Sequence, residues 1–504
     1  MSEGERIAKN TAFLYIRMLF VLVVSLYTSR VVLRTLGVVD FGVYNVVAGF
    51  VALFGFFNAT LSASMQRFYN FEGTNDKSEG YIRVYRTGLV LHAVIALILI
   101  VLLETFGLWY VNKVMVVPPN RLFAANITYQ SAIISMLFVI LQIPYLGAVM
   151  AKERMNYYAV ISVLDILLKL AAILILPYLP TDKLIVYSFI ILLISIFDFV
   201  CYYVYAKRKI LAGRFSWSID KVLFRSMLSF SGWNLVGTFA FMLKGQGLNM
   251  VLNVYFGPIV NAARGVAYQI NGAVSGFSAN IATAFRPQIV NTFAAGDKAR
   301  TLNLMYSESR ICYALMCLLT VPIILEIDQL LHLWLGNDVP QQTGVFATLV
   351  LIDFLVCTLN TPCTQVAFAT GRINRYQIAS SIVNLGLVPF SWFLLYIGFD
   401  AVSVFVLTIV FSIANQITCL IQLKVVFPYS LNDYLKAVIL PCVMFSVLLP
   451  ILPLWIHSVM ATSFVRFLCI LALDVLIGGL LMFYLILAKY ERKLIVEYVK
   501  NRFF

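Results

Sequence analysis

Residues 256–287 read FGPIVNAARGVAYQINGAVSGFSANIATAFRP. Within this run Gln269, Gly272, Gly276, Asn280 and Thr283 follow one another at intervals of 3, 4, 4 and 3. That spacing places all five on one stripe of an α-helix. The helix is polar and small on that stripe, yet the chain on either side is dominated by Leu, Ile, Val and Phe. Apolar runs of about 20 residues recur on both sides, and a run of that length crosses a bilayer core as a helix. The stripe therefore belongs to a membrane helix. It has two readings: close packing against a neighbouring helix through small residues, or a wall of a hydrated cavity whose amides offer hydrogen bonds.

Composition extends the membrane reading to the whole chain. Of its 504 residues 62% are hydrophobic and only 12% charged, with a mean hydropathy of +0.91; a soluble domain carries about 25% charged residues. No segment has the composition of a separate soluble domain. The first ten residues, MSEGERIAKN, are polar, and the apolar stretch after them is too long for a signal-peptide core, which predicts a retained first membrane helix. The eight Cys lie in apolar stretches without a C-x-x-C pair, as buried unreactive thiols do. His92, His332 and His457 are scattered, which argues against a metal centre, and no cofactor is expected.

Fourteen membrane helices are predicted, over 11–32, 41–65, 88–109, 124–150, 157–175, 184–206, 230–255, 265–285, 311–331, 345–370, 378–397, 402–423, 435–455 and 464–487. Lys and Arg collect in cytoplasmic loops. With the N-terminus inside, 27 of the 37 basic residues fall at the termini and the inward junctions, and 7 at the outward ones. A missed or invented helix would scramble that alternation, so count and orientation support each other. The net charge of +14 is thus a topology signal and not a nucleic-acid footprint. Both termini are expected in the cytoplasm.

The most basic junction separates residues 1–206, a first lobe of six helices, from 230–424, a second lobe of six, with 207–229 as a cytoplasmic linker. Residues 425–504 hold two further helices and a cytoplasmic tail. The fold class is all-α and polytopic, with a pseudo-two-fold repeat: LRTLGVVDFGVYNVV (33–47) joins the first two helices, and NVYFGPIVNAARGVAYQI (253–270) joins the seventh and eighth. Both run from an apolar residue and Gly through a short turn to Gly and Tyr. Both second helices end at a basic residue, Arg67 or Arg286. Repeat halves with substrate between them are a common transporter plan.

A charged side chain at mid-bilayer costs about 2.5–3.5 kcal/mol on insertion scales, so it faces a cavity or a partner. Arg17, Arg30 and Arg34 lie on the first helix, Lys244 on the seventh, and Arg264 opens the eighth. These helices occupy matching places in the two halves, and five basic groups on them suit a central cavity that attracts anions. Arg30 and Arg34 have a second reading as cations reaching the outer interface, and Arg264 as a loop cation. No acidic residue lies within the first, second, seventh or eighth spans; Asp40 sits in the outer turn. Asp165 and Lys169, at i and i+4, suit a structural ion pair or part of a coupling-ion site. Asp198 and Asp353 are further candidates for ion coupling, and Asp474 is a similar isolated carboxylate.

The run 256–277 followed by ANIATAFRPQIVNTFAAGD, together with YTSRVVLRTLGVVDFGVYNVVAGF and SASMQRFYNFEG near the N-terminus, resembles the polysaccharide flippases of Gram-negative bacteria. These belong to the multidrug/oligosaccharidyl-lipid/polysaccharide exporter superfamily. The likeness extends over the whole chain in helix number and spacing, and NAARGVAY (261–268) is its most specific part. The resemblance implies two six-helix lobes in a V, two additional C-terminal helices and a cationic cavity, whose cations correspond by helix and type to Arg17, Arg30 and Lys244. It further implies transfer of an undecaprenyl-pyrophosphate-linked oligosaccharide from the cytoplasmic to the periplasmic leaflet of the inner membrane. Coupling to a proton or sodium gradient comes with it. Partners would be the lipid-linked oligosaccharide, membrane lipids and other polysaccharide-assembly membrane proteins.

In that scheme Arg17, Arg30, Arg34, Lys244 and Arg264 hold the pyrophosphate, Gln269 and Asn280 bond sugar hydroxyls, and Arg67 and Arg286 gate the cytoplasmic side. A multidrug exporter of the same fold would want carboxylates in the first lobe. A peptidoglycan-precursor flippase would want the same cations. An enzyme that polymerises or ligates polysaccharide would want a large outer loop bearing catalytic groups, and every outer loop here is short; the chain is read as a non-enzyme.

Overall fold

The computed structural model describes residues 3–53, 61–62, 64–66, 68–69, 79–152, 154–210 and 220–493. Among them there are helices and turns but no strands. α1 (Glu3–Ala52) carries the first expected span and the start of the second, and turns at Gly37. The chain continues with α2 (Glu79–Lys113), α3 (Pro119–Ala151), α4 (Tyr157–Tyr178) and α5 (Lys183–Lys209). After the 211–219 stretch, which lies outside the described residues, come α6 (Lys221–Phe256), α7 (Pro258–Ala294) and α8 (Lys298–Leu325). A short α9 (Ile327–Leu335) precedes α10 (Thr343–Thr370), α11 (Asn374–Tyr396), α12 (Ala401–Val426), α13 (Leu431–Val459) and α14 (Phe464–Ile486).

Eleven stretches of the described residues are long and apolar enough to cross a membrane. α6 and α7, at 36 and 37 residues, rise about 54 Å at 1.5 Å per residue, well beyond a bilayer core. Counting both arms of α1, each of the fourteen expected spans overlaps an observed helix; of the second, 54–60 and 63 lie outside the described residues, and the ninth runs past the end of α8 into α9. Bulky apolar side chains such as Leu193, Ile382, Phe393, Val447 and Leu476 are exposed on the helix surfaces. Water would not tolerate so many, whereas lipid does.

The helices start where the sequence supplies a cap. Asp182 accepts hydrogen bonds from the backbone N–H groups of Leu184 and Ile185 at the head of α5, and Asp220 does the same for Val222 and Leu223 on α6. Asp297, Asp400, Ser430 and Ser463 cap α8, α12, α13 and α14. Each satisfies donors that a helix leaves unpaired in its first turn. Within α10 the helix breaks at Leu359, because Pro362 lacks the N–H that would bond the Thr358 carbonyl. The neighbouring Leu359 carbonyl accepts Gln416 Nε2 of α12 at 3.2 Å.

The chain forms two compact units, Met1–Ala262 and Ala263–Phe504. In the first, α6 packs with α1 and α2. Its core gathers Tyr69, Tyr81, Tyr85, Tyr145 and Tyr202 around Met65, Ile143 and Leu223. Lys152 and Lys207, two of the cations expected inside, lie over the rings of Tyr81 and Tyr85 at 4.3 and 4.4 Å, so part of the topology charge is also cation–π packing. The second unit has one core where α8, α10, α12 and α13 meet, around Cys363, Tyr376, Phe427 and Tyr434. Another lies where α7, α8, α10, α13 and α14 meet, around Val274, Cys317, Leu351 and Phe445.

Candidate functional site

The two repeated junctions share a backbone device. Gly37 sits at φ 78°, ψ 166° and Gly257 at φ 73°, ψ −171°. This region of conformational space is open essentially to Gly alone, and it lets one membrane helix turn at once into the next. The likeness between 33–47 and 253–270 is therefore one of geometry as well as letters.

Around the second junction the amides of NAAR and its neighbours close on one another. Asn261 Nδ2 donates to the Asn249 carbonyl at 2.7 Å and to Asn249 Oδ1 at 2.8 Å. Asn253 Nδ2 donates to Asn261 Oδ1 at 3.0 Å, and Asn253 Oδ1 accepts the Val116 N–H at 2.9 Å. Asn249 Nδ2 reaches the Asn45 carbonyl on α1 at 3.1 Å. Asn253 and Asn261 are fully buried, so these amides hold α1, α6 and the head of α7 together and are spent on structure. The approach is close: a Cβ on Gly42 would lie 1.9 Å from the Pro258 carbonyl oxygen.

A second tie at the same end of this unit was not legible in the sequence. Arg121, in the first turn of α3, donates through Nε and Nη2 to Asp40 at 2.7 and 2.6 Å, and through Nη1 and Nη2 to Asp182 at 2.5 and 3.0 Å. Arg121 beside Asp182 holds that carboxyl below its usual range. One guanidinium thus binds two carboxylates bidentately and joins three helix ends. Its partners stand 81 and 61 residues away, with no spacing rule to link them.

The expected cavity cations distribute as follows. Arg17 is on α1, but its side chain lies outside the described residues; Arg67 lies outside them altogether. Arg30 is half-buried and Arg34 exposed, one turn apart on α1, and Lys244 is half-buried on α6. Arg264 is only 7% exposed, with its guanidinium 4.3 Å from the centroid of Tyr268, which makes it a packed residue of α7 rather than a loop cation. Arg286 is exposed near the far end of α7.

On α7 the burial pattern separates the two readings of the stripe. Val266, Val274, Ser278 and Ala282 are buried, and Ser278 Oγ meets Cys312 Sγ of α8 at 3.2 Å. The Gln269–Thr283 stripe lies off that face: Gly272 and Thr283 are exposed, Gln269, Gly276 and Asn280 half-buried. A Cβ on Gly272 would meet nothing within 4 Å, so Gly272 is not there for close packing. Gln269 Oε1 and Asn271 Oδ1 are buried atoms without a hydrogen-bond partner among the described residues.

Of the coupling candidates, Asp165 pairs with Lys169 at 2.7 Å as the i,i+4 spacing expects. Asp198 of α5 comes up against that pair, so two nominated carboxylates and a Lys gather between α4 and α5. Asp353 accepts the Cys357 thiol at 3.9 Å one turn along α10. Three buried acids carry more than their spacing suggested. Glu326, 1% exposed, receives Arg466 Nη2 at 2.6 Å. Asp474 is fully buried with neither oxygen bonded among the described residues. Glu308 is 1% exposed and meets Gln365. The eight cysteines are free thiols.

No protein-family model matches the chain, and no curated protein does. Solved structures do. The chain is similar to the lipid II flippase MurJ in an inward closed conformation, with a TM-score of 0.73 at 14% identity, covering 96% of this chain and all of that one. It is also similar to an inward-facing multidrug resistance MATE family transporter of the MOP superfamily, with a TM-score of 0.64 at 13% identity, covering 82% of this chain and 98% of that one. A MOP superfamily transporter from Pyrococcus furiosus superposes with a TM-score of 0.51 at 13% identity, covering 83% and 94%. The chain is an all-helical, multi-pass membrane protein with the fold that the MurJ flippase and the MATE transporters share.

Proposed function

We propose that this protein is an alternating-access flippase that carries an undecaprenyl-pyrophosphate-linked oligosaccharide from the cytoplasmic to the periplasmic leaflet of a bacterial inner membrane, for surface polysaccharide assembly. The observation that carries the reading is the charge of α1, α6 and α7. α6 and α7 contain Lys221, Arg225, Lys244, Arg264 and Arg286 and no acidic residue. The nearest carboxylate on α1, Asp40, is engaged by Arg121. On these three helices nothing acidic is left beyond the N-terminal turn of α1 to receive a cationic drug, whereas a pyrophosphate is attracted by the Lys and Arg they carry. Arg binds such a group through a bidentate fork and Lys as a point charge.

The likeness to a lipid II flippase over 96% of the chain, against 82% for the multidrug transporter, supports a lipid-linked substrate. In this scheme Arg17, Arg30, Arg34, Lys244 and Arg264 serve the pyrophosphate, Gln269 and Asn280 serve sugar hydroxyls, and Arg67 and Arg286 gate the cytoplasmic face. The polyprenyl tail stays in lipid, and an ion gradient drives the cycle. The same neighbour favours a second reading, a flippase for the peptidoglycan precursor. Replacing Arg17 or Lys244 by Ala in cells should remove the surface polysaccharide while leaving the protein in the membrane. Unchanged polysaccharide in both variants contradicts the cationic site. Rescue of cells lacking their essential precursor flippase selects the second reading.

A further inference from the structure

Glu308 of α8 and Gln365 of α10 face each other inside the second unit, 1% and 4% exposed. Gln365 Nε2 donates to Glu308 Oε1 at 2.9 Å and to the Ala282 carbonyl of α7 at 3.2 Å. The orientation of this amide is fixed by the second contact, because a backbone carbonyl can only accept. Both amide hydrogens are therefore used. Two oxygens remain, Glu308 Oε2 and Gln365 Oε1, each buried and each without a hydrogen-bond partner among the described residues.

A carboxylate in this position leaves two buried acceptors unpaired, and a lone buried charge is costly enough that the group neutralises instead. One proton on Oε2 removes all three faults. It cancels the charge, satisfies Oε2, and donates to Gln365 Oε1, so that acid and amide close a cyclic pair. We propose that Glu308 is a proton-binding site, occupied in this conformation, in which Gln365 reads the protonation state and passes it to α7 through the Ala282 carbonyl.

The surroundings agree. From α7 the titratable neighbour is Arg286, whose charge acts on Glu308 from an exposed position one turn beyond Ala282. On α8 itself Cys312 lies one turn away and feels Glu308; Arg310 is turned to Glu491 at 3.6 Å. α10 supplies Cys363, and α13 supplies Tyr434, which the Cys363 thiol meets at 4.0 Å. Of the two cations among these groups, Arg310 is engaged by Glu491 and Arg286 acts on Glu308. When the proton leaves to water, the carboxylate loses the Gln365 Oε1 contact, keeps the Gln365 Nε2 bond and is drawn to Arg286, on the same helix that Gln365 holds. Proton release thus pulls on α7 near its end. That last link to transport rests on the alternating-access reading; proton binding does not.

The test is infrared difference spectroscopy of the purified full-length protein in detergent, from mildly acidic to mildly alkaline pH. The C=O stretch of a protonated carboxylic acid should be present, vanish in Glu308→Gln and shift in Gln365→Leu, which keeps the acid but removes its amide. Should Glu308→Gln fail to fold, the shift in Gln365→Leu carries the assignment. Spectra unaltered by either substitution overturn the proposal, and so does displacement of the band by sodium at constant pH, which would put a metal cation between the same two oxygens. Glycan flipping by Glu308→Gln should lose its pH dependence. A wild-type protein that flips no glycan yet shows the band would refute the transport reading alone.

Discussion

Gly37 and Gly257 occupy a conformation that costs other residues about 1–3 kcal/mol, and space is not the reason they are glycine. A Cβ on Gly37 would meet nothing within 4 Å, and one on Gly257 only Val116 Cγ1 at 3.7 Å. Gly37→Ala and Gly257→Ala should therefore each lower stability by about that 1–3 kcal/mol through the backbone alone, read as a fall in the thermal unfolding midpoint in detergent. Gly42→Ala acts differently, since its Cβ would collide with the Pro258 backbone, and should cost more than either. Equal, negligible losses at all three would contradict the hinge assignment. The glycines and their place in the repeat could be read from sequence. The fate of the nearby amides could not: Asn261 and Asn280 are the same residue type on one helix, and only burial shows that Asn261 is bound into the hinge.

Each unit is pinned at a helix end by an Arg–carboxylate tie. Arg121 joins α3 to Asp40 and Asp182 at side-chain exposures of 17–30%. Arg466 joins α14 to Glu326, beyond the end of α8, nearly dry. Removing one member of a buried pair strands the other charge and costs about 3–5 kcal/mol, whereas replacing both by apolar residues of similar volume is often neutral. Arg466→Leu should thus be strongly destabilising, and Glu326→Met combined with it should recover most of the loss, because among the described residues the Arg466 guanidinium otherwise bonds only backbone carbonyls, of His457 and Met460. Additive losses in a double-mutant cycle would contradict that account. Helix starts were legible in part at this scale: the spans expected from 184 and 402 begin within one residue of α5 and α12, whereas α6 and α8 begin at Lys221 and Lys298, well before the expected 230 and 311, because their polar first turns carry no hydropathy signal. The ties were not, because Glu326 and Arg466 stand 140 residues apart and nothing local marks either as paired.

At the scale of the whole molecule, hydropathy and the alternation of basic junctions were enough to read an all-helical, multi-pass fold, because lipid demands continuous helices of a set length, and eleven stretches of the described residues meet that length. They said much less about chemistry. Burial, not spacing, singled out Glu308, which reads in sequence as one more charge near a helix start. The same applies to Asp40: as a letter it is a carboxylate beside the cationic helices, and in the structure it belongs to Arg121. That assignment leaves α1, α6 and α7 to attract anions, which is the central claim. Its most direct measurement is leaflet-to-leaflet movement of an undecaprenyl-pyrophosphate-linked oligosaccharide in vesicles reconstituted with the purified protein. The account predicts movement by the wild type, at least a ~10-fold loss in Lys244→Glu, equivalent to about 1.4 kcal/mol, and no movement of a cationic drug. Transport of the cationic drug, or an undiminished rate in Lys244→Glu, would contradict it.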